Sequence, residues 1–93
     1  MTEWIGKDIG AGVCVITVDF EPGRTVALHT HPYEEVFVVH EGEAKFTLDG
    51  AERVVRGGEV VVAPANVVHG FEALTRLRQT DIHVSPEFVT NWL

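Results

Sequence analysis

The sequence predicts an all-β fold, a sandwich or small barrel built from roughly eight short strands. Three observations carry this reading. Runs of β-branched and aromatic residues recur along the chain, split by Gly, Pro, Asn and Asp. Asp49-Gly50 joins two of these runs as a two-residue hairpin turn. No long stretch repeats its apolar residues with the period of a helix.

The elements follow in order. Val13 to Phe20 is the first run, broken by Glu21-Pro22-Gly23. Thr25 to Thr30 is the second, ended by Pro32. Glu35 to His40 is the third; Glu41-Gly42-Glu43 turns the chain into Ala44 to Leu48. Glu52 to Arg56 returns from the Asp49-Gly50 hairpin, and Gly57-Gly58 leads into Glu59 to Ala63. Val67 to Ala73 and Leu77 to Val84 complete the set. The tail is the one helical candidate. Ser85 is suited to cap it, Pro86 to its first turn, and Phe88 and Trp92 then share a face.

Composition bounds the function. The 93 residues suit a single domain, 1–93, with no linker, repeat or low-complexity tract. Seven basic against fourteen acidic residues give a net charge of −7, which argues against nucleic acid and anionic membrane as partners. No apolar run is long enough to span a bilayer. Met1-Thr2-Glu3-Trp4 lacks the basic and apolar stretches of a signal peptide, and the single cysteine, Cys14, sits in an apolar run as a core residue. Both features agree with a reducing cytoplasm.

The chemistry-bearing residues are His29, His31, Glu35 and the distant His69. Imidazole and carboxylate are good ligands for divalent transition metals. Side chains alternate along a strand, so His29 and His31 point the same way on one strand. Glu35 then shares the interior with Phe37 and Val39, while Val36, Val38 and His40 face outward. His69 joins them only if the sheet curves round, as in a small barrel. Taken singly, each of these residues is equally consistent with a solvated or hydrogen-bonded side chain.

The spacing of the whole set resembles the cupin family. Gly23, His29, His31, Glu35 and Gly42 match every position of the first cupin motif. Gly58, Pro64 and His69 match the second, with Asn66 in place of its glycine and Ala73 in place of its final asparagine. Asparagine tolerates positive φ, so Asn66 can make the same turn. The resemblance implies a double-stranded β-helix, or jelly-roll barrel, here with the short C-terminal helix. It implies that His29, His31, Glu35 and His69 bind one divalent metal: Fe, Mn, Ni, Cu, Co or Zn. Four such ligands leave one or two positions on an octahedral ion for a small molecule. The resemblance further implies a homodimer.

The remaining candidates are read more plainly. His40 belongs to the outer face. In the last strand the apolar phase is Ile82 and Val84, so His83 points outward if that phase faces the core; otherwise it supports the metal ligands. Tyr33 serves the turn or the mouth of the site. Phe37, Phe46, Leu48 and Phe71 line the interior. The functional expectation is a metalloenzyme acting on a small organic molecule, of oxygenase, isomerase or decarboxylase type. The alternative is a non-catalytic metal-dependent binding or sensing module.

Overall fold

The computed structural model describes residues 1–93. Ten strands run in order: β1 (Thr2–Trp4), β2 (Cys14–Phe20), β3 (Thr25–Thr30), β4 (Glu35–Glu41), β5 (Glu43–Leu48), β6 (Ala51–Arg56), β7 (Val60–Ala63), β8 (His69–Ala73), β9 (Leu77–His83) and β10 (Asn91–Trp92). They form two five-stranded antiparallel sheets, ordered β1-β2-β9-β4-β7 and β10-β3-β8-β5-β6. The all-β expectation holds, and each of the eight predicted runs contains an observed strand.

The inner faces of the two sheets close on one core of twelve buried residues, among them Phe20, Phe37, Phe46, Val55, Phe71 and Leu77. Phe37 meets Phe46 edge-on at 4.9 Å between ring centroids, and Phe46 lies against Phe71 at 5.2 Å. Leu48 packs on this cluster from its rim. The alternation in β4 is as expected: Glu35, Phe37 and Val39 are buried, and His40 is exposed.

Local geometry explains several sequence signals. Asp49 and Gly50 have φ of 49° and 81°, the left-handed pair that a tight hairpin requires. Asn66 has φ of 67°, so it does make the turn that the motif gives to glycine. Gly42 combines φ of 90° with close packing: a Cβ there would lie 2.0 Å from the Arg76 carbonyl oxygen.

Three features depart from expectation. The first is the tail, where the anticipated helix is absent. A helix would need the Pro86 carbonyl for its own ladder, but Lys7 N–H takes that carbonyl at 2.9 Å. Ser85 Oγ bonds only to the backbone of Glu87, and the chain then runs extended into β10, which pairs with β3 at Asn91–Thr30 and Trp92–His29. Tertiary bonds thus outweigh a good local capping sequence. The only helix is Gly6–Ile9, ended by Gly10 at φ of 74°. The second departure is β1, a short edge strand on β2 that no run predicted.

The third is the phase of β9. Leu77, Gln79, Asp81 and His83 are buried, whereas Thr80 and Ile82 are only half-buried on the opposite face. Ile82 stands in an outer row with Trp4, Val15, Val36 and Val62, one residue from each strand of its sheet. Ile82 therefore faces outward, and His83 points inward with Leu77.

Candidate metal centre

A bulge brings the first two histidines to the interior. β3 pairs with β8 at Val26–Phe71 and His29–His69, so three residues of β3 span two of β8. The shift turns His29 inward even though Val26 is inward as well. The backbone of β8 must approach closely there, and a Cβ on Gly70 would lie 2.7 Å from the Val26 carbonyl oxygen. His31 follows β3, and its carbonyl accepts the Asn66 N–H at 2.8 Å. The positive-φ turn at Asn66 is thereby tied to the segment carrying His31.

His29, His31, Glu35 and His69 converge, each offering a ligand atom, with all four atoms within 4.8 Å of one another. All four residues are buried. Their hydrogen bonds set the protonation of the rings. His29 Nδ1–H donates to the Ala27 carbonyl at 2.7 Å, His31 Nδ1–H to the Val89 carbonyl at 2.8 Å, and His69 Nδ1–H to the Val67 carbonyl at 2.9 Å. A carbonyl only accepts, so each Nδ1 carries the proton. In the neutral ring Nε2 is then a bare lone pair aimed at the centre.

These lone pairs face a carboxylate. Glu35 Oε1 lies 2.9 Å from His31 Nε2 and 3.2 Å from His69 Nε2. The His31 approach is off the line of an imidazole N–H, and this buried Nε2 has no hydrogen-bond partner. Two acceptors at such distances repel unless a proton or a cation lies between them. The donor set therefore fits a divalent metal ion, which would take the three Nε2 atoms and Oε1 together.

The other carboxylate oxygen is already occupied. His83 Nε2–H donates to Glu35 Oε2 at 3.0 Å. Tyr33 O–H donates to His83 Nδ1 at 2.7 Å, and the Tyr33 oxygen accepts the Val89 N–H at 3.1 Å. Tyr33, His83 and Glu35 thus form a directional chain that ends on the carboxylate. It leaves Oε1 free to turn to the three histidines. Of the two readings of His83, the inward, ligand-supporting one holds, because the inward phase of β9 runs from Leu77 in the core to Asp81 and His83 at the cavity. Tyr33 is tied to both the turn and the site.

Electrostatics agree with this arrangement. Burial disfavours charge on Glu35, but the neighbouring imidazoles of His31, His69 and His83 outweigh it and hold the carboxyl far below its usual range. Burial lowers His29 below the usual histidine value. Burial also acts to lower His31, but Glu35 and the Val89 carbonyl overcome it and raise this ring. Asp81 is pushed well above the usual carboxyl range by burial and by Glu35.

The centre opens into a cavity of about 270 Å³ whose walls include Ile16, Val18, Phe20, Val26, Phe37 and Phe71. Such a volume suits a small organic molecule. The tail covers this end: Phe88 packs edge-on against His83, and the Trp92 ring lies 4.7 Å from that of His29. No helix is long and apolar enough to cross a membrane.

Comparison with known proteins agrees with this geometry. The family model described as "Cupin domain" matches residues 16–83. Oxalate oxidase 1 of Hordeum vulgare is 36% identical over 78 residues, covering 74% of this chain and 38% of that protein. Germin-like protein 3-3 of Oryza sativa subsp. japonica is 39% identical over 67 residues, covering 62% of this chain and 30% of that protein. The chain thus spans about a third of the length of these relatives. A cupin-like protein of Thermotoga maritima superposes with a TM-score of 0.84 at 27% identity, covering 99% of this chain and 73% of that one. Motif, two-sheet architecture and the convergent His/Glu cluster agree with one another, and the chain belongs to the cupin family as a metal-binding cupin.

Proposed function

We propose that His29, His31, Glu35 and His69 hold one divalent transition-metal ion, and that the protein converts a small organic molecule in the adjoining cavity. The observation that carries this reading is the set of three Nδ1–H bonds to backbone carbonyls, which leaves three Nε2 lone pairs around one carboxylate oxygen. A bound ion supplies Lewis acidity and a template for substrate oxygen atoms. The protein does the rest. His83 fixes the orientation of Glu35, the backbone carbonyls fix the three rings, and the apolar walls exclude water and shape the ligand. Fe, Mn, Ni, Cu, Co and Zn all accept this donor set.

Similarity to proteins named oxalate oxidase is the reason to include oxalate among the substrates tested. Protein loaded separately with Fe(II), Mn(II), Co(II), Ni(II), Cu(II) and Zn(II) would be incubated in air with oxalate, enediol, diketone and catechol substrates. The expected result is turnover with at least one metal that is lost in His69→Ala. Binding without conversion under every metal would assign the chain instead to a sensing or sequestering module.

We further propose that two copies associate through the outer row of Trp4, Val15, Ile82, Val36 and Val62. Trp4 and Val62 are 51% and 45% exposed, an unfavourable apolar face if left in water. Light scattering is expected to return twice the chain mass, and a monomer mass would refute the assembly.

A further inference from the structure

The cavity holds one buried acid that the metal-site reading leaves unused. Asp81 is 4% exposed and lines the same cavity as His29, His31 and Glu35. Across the sheet it stands between Ile16 of β2 and Phe37 of β4, both apolar. Its one side-chain partner is Gln79, whose Nε2 donates to Asp81 Oδ1 at 2.8 Å. Gln79 is itself 2% exposed, and its Oε1 has no hydrogen-bond partner.

This pair is poorly explained as a structural device. Asp81 and Gln79 are two residues apart on the inward face of one strand, β9. Their bond joins no two elements of the fold. Burying a carboxyl and an amide costs stability, and a bond within one strand with one oxygen left unpaired offsets little of it. Buried polar groups without a packing reason mark functional positions.

We propose that Asp81 is the second recognition point of the cavity, contacting a hydroxyl or carbonyl of a ligand whose other end meets the metal centre, with Gln79 positioning it. The inference rests on the small-molecule reading above and specifies its ligand. Asp81 lies two residues along β9 from His83, about 7 Å along the strand. The ligand class is therefore a short chain with a metal-binding oxygen pair at one end and an uncharged polar group several bonds away. Anionic groups at the far end are disfavoured, because Glu35 already puts negative charge on this wall. Burial and Glu35 raise the Asp81 carboxyl above its usual range, which favours the protonated form that donates as well as accepts.

Two measurements test this. In the first, Zn(II)-loaded protein is titrated by calorimetry with 2-oxopentanoate and 5-hydroxy-2-oxopentanoate; zinc has no redox chemistry, so binding is read without turnover. The wild type is expected to prefer the hydroxylated probe about tenfold. Asp81→Leu is expected to lose that preference while keeping its zinc affinity, and Asp81→Asn, which keeps a donor and an acceptor, to retain it. Equal binding of both probes to the wild type, a preference surviving in Asp81→Leu, or loss of zinc from Asp81→Leu would overturn the inference alone. Binding of neither probe would overturn the small-molecule reading with it. The second measurement needs no ligand. If the pair serves recognition, the double variant Gln79→Leu/Asp81→Leu, which leaves neither partner unpaired, keeps or raises the Tm of the metal-free protein. A fall in Tm would make the pair structural and refute the proposal.

Discussion

His69→Ala is expected to abolish stoichiometric metal binding while leaving a folded protein. The wild type should bind one divalent ion per chain. Loss of His69 removes one of three Nε2 donors and leaves the ion two imidazoles and one carboxylate oxygen. The fall in affinity should exceed the roughly 100-fold that loss of a supporting partner costs. Competition against a chromophoric chelator measures it directly. His40→Ala is the matched control: His40 is exposed on the outer face and bonds only the Thr80 hydroxyl, so its loss should leave affinity unchanged. The same titration has a signed pH dependence. His31 is raised above the usual histidine value, and its Nε2 must be free of a proton to bind metal. Affinity therefore falls as pH drops through that raised value and recovers as pH rises above it. Wild-type affinity in His69→Ala would show that the ion, if any, sits elsewhere.

The second large effect is expected at His83, which does not touch the ion. His83→Phe keeps a ring against Phe88 and Tyr33 but removes the N–H that holds Glu35 Oε2. The carboxylate can then rotate, and its buried Oε2 is left unpaired. Metal affinity should fall about 10–100-fold. Tyr33→Phe removes only the O–H to His83 Nδ1 and the acceptor for Val89 N–H, so its loss should be smaller. That ordering, His83→Phe worse than Tyr33→Phe and both milder than His69→Ala, is the signature of a chain of support ending on a ligand. Equal affinity for His83→Phe and wild type would mean that Glu35 is oriented by other groups.

Much of this centre is legible in the sequence. The motif spacing named His29, His31, Glu35 and His69 together, and strand alternation put Glu35, Phe37 and Val39 on one face. Alternation failed at β9 for a physical reason. Apolar residues mark the inward phase only where the interior is packing, and the inward positions of β9 at Asp81 and His83 line the cavity of the site. Ile82, the apolar residue between them, belongs to the outer row instead, while Leu77 packs in the core. The tail failed for a different reason. Ser85 and Pro86 are good helix starters locally, but Lys7 and His31 claim the carbonyls of Pro86 and Val89 from far along the chain. The His31–Val89 bond that sets a ring tautomer spans 58 residues, and no local pattern encodes such a pairing. β1 is three residues long and too short to show a period.

The most direct test is a crystal structure of metal-loaded protein with anomalous scattering at the metal edge. A single peak should lie about 2.0–2.2 Å from Nε2 of His29, His31 and His69 and from Glu35 Oε1, with Oε2 still on His83. A peak bound through any Nδ1, or outside this cluster, would contradict the account, as would none after loading.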